Sequence, residues 1–342
     1  MFDPLILELA TDRNFDAQRY LLANPDLADP FRDGLDPRAH FERHGRAEKR
    51  RQLAAFPAVP ADRRTPGVTL VAICRNERRF LIEWVAYHRL IGFERIIIYD
   101  NETNDGSESL LARMAAIGLI ELRRWTDRPG RSAQRSSYED AVVRSTTRWM
   151  FFLDLDEFLN LHVDGTIEEF IQRFPPGVSA IGINWRIFGS SGLVDAGPEP
   201  VIQRFTRASQ HRHPLNRHIK TLAVAADVYK VLPHRVRLMK GDYVDASGSA
   251  LDPGRGFAPV HHEVAQINHY AVKSRCEFEE KRRRGCVLRT PADPEKQTHR
   301  DGSYFEDHDR NEEADLSILR HSDALAEEME RLSGLLGPDL GN

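Results

Sequence analysis

The sequence predicts an α/β fold in which a mostly parallel sheet is flanked by helices, a Rossmann-like arrangement. Between residues 67 and 154, strand-like apolar runs alternate three times with helical patterns. Repeated alternation of this kind requires crossover connections and therefore parallel neighbouring strands. The length of 342 residues and the hydrophobic content of 41% suffice for one large core with smaller appendages.

Four apolar runs are predicted as strands, and a helix follows each of the first three. The runs are GVTLVAICR, FERIIIYD, LIELRRW and MFFLD. The first helix has apolar side chains at spacings of four and ends at Gly92, and the second ends at Gly118. Further along, SAIGINWRIFG and AQINHYAVK are predicted strands, and Ser274 begins a helix. A final amphipathic helix is predicted over residues 311–335.

Changes in composition divide the chain into four predicted segments. Residues 1–52 form a small helical module that contains an Asn24-Pro25 turn signal and cannot bury a core alone. Residues 53–66 are a proline-rich linker. Residues 67–290 form the α/β domain, and residues 291–342 form a tail with the C-terminal helix.

Charge and cysteine content exclude several classes of protein. The net charge of −4 and the pI near 6.4 give no general attraction to nucleic acid. The three cysteines form no CxxC pair, which is typical of a reducing compartment. The N-terminus lacks a secretory pattern, and no apolar run approaches the roughly 20 residues that cross a bilayer. We therefore expect a cytoplasmic protein, with peripheral membrane association left open.

Two carboxylates close the fourth predicted strand in WMFFLDLDEFLN. Asp154 and Asp156 are two residues apart, so they face one crevice if the strand persists. Nearby carboxylates repel unless a cation neutralises them, and Mn²⁺ or Mg²⁺ prefers such oxygen ligands. The alternative is a turn with solvated acids. If the pair binds a metal at the crevice, Asp156→Asn should abolish metal binding at little cost in stability.

Other polar side chains follow the first two predicted strands. Asn76 and Glu77 follow the first, and Asp100 and Asp105 lie in the DNETNDG turn after the second. Ligands of parallel sheets bind at these carboxyl ends. Asp100 could accept hydrogen bonds from a nucleoside, or it could begin an Asx turn. Neither GxGxxG nor GxxxxGK[ST] occurs, which excludes dinucleotide and Walker-type sites.

Five motifs between residues 67 and 311 resemble those of a known enzyme group. They are CRNE, EWVAYHRLIGFERIIIYDNETNDGS, WMFFLDLDEFL, INWRIFGSSG and INHYAVKSRCEFEEKRRRG. Their order and content resemble bacterial glycosyltransferases related to families 2 and 92, formerly a domain of unknown function with the GT-A fold. The N-terminal segment resembles a short helical module that is often attached to such transferases.

The resemblance implies an inverting, metal-dependent transfer of a hexose from a nucleotide sugar, with a UDP-sugar favoured. The acceptor would be a glycan or a lipid-linked molecule. Asp154 and Asp156 match the DxD motif and, with His269, would hold Mn²⁺ or Mg²⁺. Cations near the diphosphate would stabilise the leaving group. The residues expected to bind the nucleotide sugar are Asn76, Glu77, Asp100, Asp105, Arg135, Asp154, Lys220 and Lys273.

An inverting transfer also needs a base that activates the acceptor hydroxyl. The candidates are Glu263, Asp309 and Asp195. Trp185 offers an aromatic face for a sugar ring, or it is a core residue. Ser190 and Ser191, in the turn that follows, are expected on the acceptor side.

Two other functions remain open at this point. A sugar nucleotidyltransferase also uses a metal at a carboxylate pair on an α/β sheet, although its glycine- and lysine-rich first loop is missing here. A non-catalytic glycan-binding protein could keep the same fold without a base.

Overall fold

The computed structural model describes residues 7–54, 64–128, 132–252, 255–284 and 302–337. The strands are β1 Leu7–Leu9, β2 Arg51–Leu53, β3 Thr65–Cys74, β4 Arg95–Asp100, β5 Glu121–Arg124, β6 Thr147–Phe152, β7 Glu157–Leu161, β8 Val178–Ile187, β9 Arg207–Ala208, β10 Ile219–Val224, β11 Val228–Val231, β12 Val236–Leu238, β13 Asp242–Asp245, β14 Ala265–His269 and β15 Glu313–Ala314.

The helices are α1 Ala17–Ala23, α2 Ala28–Arg32, α3 Pro37–His40, α4 Leu81–Leu90, α5 Ser107–Ala116, α6 Ala133–Arg144, α7 Ile167–Gln172, α8 Val201–Arg204, α9 Arg275–Arg284, α10 Gly302–His308 and α11 Ser322–Leu336. Short 3₁₀ turns lie at Pro25–Leu27, Arg78–Phe80, Pro214–Arg217, Ala225–Asp227 and Ser317–His321, and a π turn lies at Phe41–Gly45.

Within the described residues, nine strands form one sheet in the order β5-β4-β3-β6-β10-β8-β14-β7, and β13 also pairs with β8. β3 is parallel to β4 and β6, β4 is parallel to β5, and β8 is parallel to β13 and β14. Only β10 and β7 run against their neighbours in this sheet. The predicted mostly parallel α/β fold is therefore confirmed, and this is the architecture that a GT-A fold requires.

Helices cover both faces of the sheet, as the continuous apolar runs of its strands require. In β3, Leu70 and Ala72 pack in the same core as helices α4, α5 and α11. The alternate residues, Val71 and Ile73, pack with side chains of α6. Successive side chains of a strand point to opposite faces, so both cores share this strand.

The N-terminal segment contains more than helices. β1 and β2 form an antiparallel pair that encloses α1 to α3 in sequence. The segment packs on the main body, where the ring of Phe31 lies 4.7 Å from that of Tyr229. Gln18 Nε2 donates to the carbonyl oxygen of Ala225 at 2.8 Å. Residues 55–63 of the predicted linker and residues 291–301 and 338–342 of the predicted tail lie outside the described residues, and the four segment boundaries stay predictions.

The C-terminal helix begins at Ser322, eleven residues later than predicted. Glu313 and Ala314 instead pair with β9, and a 3₁₀ turn follows. The carboxylate of Asp315 accepts hydrogen bonds from the backbone N–H of Ser317 at 3.1 Å and from its hydroxyl at 2.5 Å. Such local side-chain bonds compete with helix formation, which explains the later start.

The direction of the strands decides where a site can lie. The carboxyl ends of β3, β4, β6, β8 and β14 share one edge with the amino ends of β10 and β7. Ligands of open α/β sheets bind beyond this edge. No helix in the described part of the chain is long and apolar enough to cross a bilayer.

Candidate functional site

A cleft of about 610 Å³ lies at the carboxyl edge of the sheet. Its walls come from the turns after β3 and β4, from the segment that leads into α9, and from α9 itself. Four cations line it together with several carboxylates; they are Arg75, Lys273, Lys281 and Arg283. Four residues predicted to bind a nucleotide sugar also line it: Asn76, Glu77, Asp105 and Lys273.

Side-chain hydrogen bonds fix the two turns that form the cleft. Asn76, in a left-handed conformation with φ of 55°, donates to the side chain of Asn104 at 2.8 Å. The backbone N–H of Asn104 returns a bond of 2.8 Å to the Asn76 side-chain oxygen. The carboxylate of Asp105 accepts from the backbone N–H groups of Arg78 at 3.1 Å and Ser107 at 2.9 Å. These bonds hold the turns together across the sheet edge.

Asp100 ends β4 and is buried, with 7% of its surface exposed. One carboxylate oxygen accepts from the backbone N–H of Thr103 at 3.1 Å and from its hydroxyl at 2.7 Å. This is the contact pattern of an Asx turn, one of the two interpretations of the sequence. The contact with a nucleoside stays a prediction.

Asp154 lies beside a buried ammonium group. Lys220 Nζ is 2.8 Å from one oxygen of Asp154 and 3.2 Å from Glu157. Gln134, from α6, donates to the other oxygen of Asp154 at 2.5 Å. Burial opposes the charge of Lys220, but the carboxylate of Asp154 outweighs it and raises the pKa of the ammonium group. Lys220 is therefore a permanent positive charge on this carboxylate.

Asp156 has a separate counter-ion. Lys281, from α9, donates a short hydrogen bond to its Oδ2 atom, and His269 Nε2 lies 3.8 Å from the same oxygen. Burial opposes the charge of Asp156, but the ammonium groups of Lys281 and Lys273 overcome it and hold its pKa well below the usual range. Burial lowers the pKa of His269, so the imidazole is neutral.

Glu157 is the third carboxyl group of this stretch and is fully buried. One of its oxygens accepts from the backbone N–H of Asp154 at 2.8 Å. Burial raises the pKa of Glu157, and the charges of Asp154 and Asp156 add to that effect against the opposing Lys220. Glu157 therefore resists ionisation, and the two lysines neutralise mainly the two aspartates.

The two aspartates do not share one crevice in the way that a continuous strand predicts. β6 ends at Phe152, before Asp154, so the alternation of side chains along a strand no longer applies. The burial of Asp156 also argues against the expectation that Asp156→Asn leaves stability nearly unchanged. Asp156 is 6% exposed, and its neutralisation would leave the ammonium group of Lys281 buried without a counter-charge.

Asp156 and His269 are suitable donors for a divalent ion. Their Oδ2 and Nε2 atoms are 3.8 Å apart, within the roughly 4.2 Å that two ligands about 2.1 Å from one ion can span. A neutral imidazole is the form that binds metal. The described residues contain no group of three or more histidine, cysteine or acidic side chains suited to a metal. A divalent ion held here would need further ligands besides these two side chains, and water commonly supplies several ligands of Mg²⁺.

Trp185 is enclosed by imidazole rings. Its ring lies 4.1 Å from that of His269, 4.7 Å from His218 and 5.0 Å from His234, measured between centroids. The residue is 7% exposed, and its indole N–H has no hydrogen-bond partner among the described residues. This packing agrees with the interpretation of Trp185 as a core residue, and its role on the acceptor side stays a prediction.

Ser190 ties the turn after β8 to the C-terminal segment, and the hydroxyl of Ser191 ties it to the start of β9. The backbone N–H of Ser190 donates to Asp309 at 2.6 Å. The hydroxyl of Ser191 accepts from the backbone N–H groups of Thr206 at 3.1 Å and Arg207 at 3.2 Å. Asp309, one of the three base candidates, is therefore fixed next to this turn.

Arg135 and two of the base candidates have settings of their own. Arg135 pairs with Glu139 along α6 at 3.0 Å, while the neighbouring Gln134 makes the contact with Asp154. The Glu263 side chain is 70% exposed and precedes β14, whereas His269 is at the opposite end of that strand. Asp195 is exposed in the loop after Ser191. The structure thus separates Glu263 from the edge that carries the cleft.

Lys281 and Gln134 are site residues that sequence reasoning missed. In the sequence, Lys281 is one of several basic residues in KRRRG, residues 281–285, and nothing in that run distinguishes it from the others. A signal was nevertheless present, because Lys281 lies four residues after Glu277 and so shares its helix face. The side chains of Glu277 and Lys281 both line the cleft.

The fold and the charged cleft together define a broad class of protein. A mostly parallel sheet with a charged cleft at its carboxyl edge is typical of α/β proteins that bind nucleotides or related ligands there. The family follows from a comparison of sequences. A model of glycosyltransferase family 92 matches residues 71–299, more than half of the chain, and the chain belongs to this family. The resemblance to family 92 is confirmed.

Curated relatives carry the same family description. A glycosyltransferase family 92 protein of Oryza sativa subsp. japonica is 28% identical over 158 residues, which are 44% of this chain and 26% of the rice protein. One of Ricinus communis is 33% identical over 208 residues, which are 57% of this chain and 33% of that protein. The chain thus matches about a quarter to a third of the length of these relatives.

Solved structures of lower similarity were also found. S. aureus TarS 1-349 in complex with UDP-GlcNAc is 13% identical with a TM-score of 0.33, over 48% of each chain. The mannosyltransferase PcManGT from Pyrobaculum calidifontis, in complex with GDP-Man and Mn²⁺, is 17% identical with a TM-score of 0.29, over 49% of this chain and 48% of that chain.

Proposed function

We propose that this protein is an inverting, metal-dependent glycosyltransferase that moves a hexose from a nucleotide sugar to a glycan or lipid-linked acceptor. A UDP-sugar is the favoured donor. Membership of family 92 supports the reaction class. The observation that carries the proposal is the buried cluster of Asp156, His269 and Lys281 at the wall of a cleft lined by both acidic and basic side chains.

The charges of the cleft suit the leaving group of this reaction. Sugar transfer leaves negative charge on the departing diphosphate, and fixed cations stabilise that charge in a site of low dielectric. Lys273 lines the cleft with 3% of its surface exposed, and its ammonium group lies 4.1 Å from the centroid of the Phe80 ring. Asp156 and His269 would hold Mn²⁺ or Mg²⁺. When bound, the ion supplies Lewis-acid stabilisation of the diphosphate oxygens.

The acceptor hydroxyl requires a base, and Asp309 is the candidate that we favour. It contacts the turn after β8, at the same sheet edge as the cleft. Glu263 lies toward the other end of its strand, and Asp195 is exposed. A base must reach within hydrogen-bond distance of the acceptor hydroxyl, so its place at this edge is the first requirement.

A calorimetric screen of donors tests the proposal. UDP-, GDP- and CMP-sugars are titrated into the protein with and without Mn²⁺, and we expect metal-dependent heat with UDP-sugars. Asp156→Asn should abolish this heat. Asp252→Asn, which changes a carboxylate with 61% side-chain exposure, is the matched control and should retain it. If the wild-type protein binds none of these nucleotides in the presence of Mn²⁺, the proposed function is wrong.

A further inference from the structure

We propose that Lys281 is the internal counter-ion of Asp156 when no donor is bound, and that it competes with the divalent cation for this carboxylate. The inference rests on the proposed function, because it concerns the ion that Asp156 and His269 would hold. Because Lys281 belongs to α9, this helix would control whether Asp156 is available to the metal.

The position beside Asp156 is already occupied by positive charge. The ammonium group of Lys281 contacts Oδ2 of Asp156 and donates to the carbonyl oxygen of Ala271 at 2.7 Å. Lys281 is 6% exposed, so water screens this charge weakly. The same Oδ2 atom faces His269 Nε2 at 3.8 Å. A divalent ion between these two atoms would therefore meet the ammonium group at close range.

The other lysine of the site differs in its setting. Lys220 belongs to β10, inside the sheet, and its side chain is 1% exposed between Asp154 and Glu157. Moving its ammonium group away from Asp154 would leave a buried charge without its counter-charge, which is costly. Asp154 therefore keeps its ammonium partner, and Asp156 is the carboxylate at which a cation can be exchanged.

The ammonium group of Lys281 can contact a ligand in the cleft when it leaves Asp156. Lys281 belongs to α9, and its side chain lines the cleft as well as contacting Asp156. A diphosphate in the cleft offers the ammonium group a second anion. Binding of the nucleotide would then draw Lys281 away from Asp156 and free this carboxylate for the metal. Because coupling between two ligands is reciprocal, the metal would in turn strengthen nucleotide binding.

Titration of Mn²⁺ alone, followed by electron paramagnetic resonance, tests this exchange. Lys281→Met removes the competing charge, so we expect it to bind Mn²⁺ at least about tenfold more tightly than the wild-type protein. Lys281→Arg keeps the charge and should bind Mn²⁺ as weakly as wild type. Arg282→Met is the matched control on the same helix, since Arg282 is half exposed and pairs with Glu279 at 3.3 Å.

Thermal unfolding gives a second readout if Lys281→Met is poorly stable. The variant leaves the buried Asp156 carboxylate without a counter-charge, so its melting temperature should fall. Added Mn²⁺ should raise that temperature more in Lys281→Met than in the wild-type protein or in Arg282→Met.

The possible results separate the two proposals. If Lys281→Met binds Mn²⁺ no more tightly than wild type and gains no extra thermal protection, the competition is refuted, while metal-dependent binding of UDP by the wild-type protein would leave the proposed function intact. If neither protein binds Mn²⁺ with or without UDP, both proposals fail.

Discussion

Lys220 is the most enclosed charge of the site, because its side chain is 1% exposed and faces Asp154 and Glu157. Taking such a group out of water is costly, and the attraction of nearby carboxylates has to compensate for it. Removal of only one partner of a buried ion pair leaves the other charge uncompensated. The residue therefore acts on stability as well as on the charge of the site.

Lys220→Met should lower the free energy of unfolding by about 1–3 kcal/mol, since Asp154 loses its counter-charge but keeps contact with water through a side chain that is 34% exposed. Denaturation by urea measures this loss. Lys240→Met serves as the control, because the Lys240 side chain is 80% exposed and lies 3.7 Å from Asp227, and surface pairs contribute little. A loss no larger than that of the control would contradict the account of Lys220 as a buried counter-ion.

Glu83, the first residue of the EWVAYHRLIG motif, is a second buried ionisable group. Its carboxylate accepts from the backbone N–H groups of Val201 at 2.8 Å and Ile202 at 3.1 Å. Burial outweighs these bonds and raises the pKa of Glu83 from 4.5 to about 7. The folded protein therefore holds this proton more tightly than the unfolded chain does.

Glu83→Gln should flatten the pH dependence of stability. In the wild-type protein, the contribution of Glu83 is fully present below pH 4.5 and is lost as the pH rises through 7. At about 1.4 kcal/mol per pH unit, this loss amounts to about 3 kcal/mol. Urea denaturation of both proteins at pH 5 and pH 8 measures it. A difference between the two proteins that is the same at both pH values would show that Glu83 does not titrate in this range.

At the scale of elements, helix α9 carries much of the cleft wall and is anchored at its start. Ser274 and Glu277 form a reciprocal cap, in which the hydroxyl accepts from the N–H of Glu277 at 3.3 Å and the carboxylate accepts from the N–H of Ser274 at 3.1 Å. Arg204, from α8, makes a bidentate buried pair with Glu277 at 2.8 and 3.0 Å. The position of Lys281 depends on these contacts.

Ser274→Ala should cost about 1 kcal/mol, the usual effect of losing a helix cap. We also expect faster amide exchange in α9, which hydrogen exchange detected by mass spectrometry would measure. Ser322→Ala, at the first residue of α11, is a suitable comparison, because the described structure has no side-chain cap bond at that helix start. Unchanged exchange in α9 would mean that the cap does not anchor the helix.

The sequence predicted elements well where burial leaves a continuous apolar run. GVTLVAICR, FERIIIYD and MFFLD correspond to β3, β4 and β6. The sequence did not reveal that β10 inserts antiparallel between β6 and β8. The apolar pattern of a short buried strand does not specify which strands it pairs with. The pattern of apolar residues also gave no sign of the effect of Asp315. Its side-chain bonds with Ser317 shift the start of α11 to a later residue.

At the scale of the whole molecule, the sheet brings distant residues to one edge. Asp156 and Lys281 are separated by 125 positions in the chain, and no spacing rule links them. The sequence indicated Asp154 and Asp156 by their place at the end of a predicted strand, His269 by the family resemblance, and Lys220 as a cation that could stabilise the diphosphate. It could not assign a separate lysine to each aspartate, since that depends on where β6 ends and how α9 docks.

Anomalous diffraction from a crystal soaked with Mn²⁺ and UDP tests the central claim most directly. The account predicts a manganese peak within about 2.2 Å of a carboxylate oxygen of Asp156, with His269 as a second ligand and UDP in the cleft. It also predicts that Lys220 still contacts Asp154. A bound UDP with no manganese beside Asp156, and with Lys281 still on that carboxylate, would contradict it.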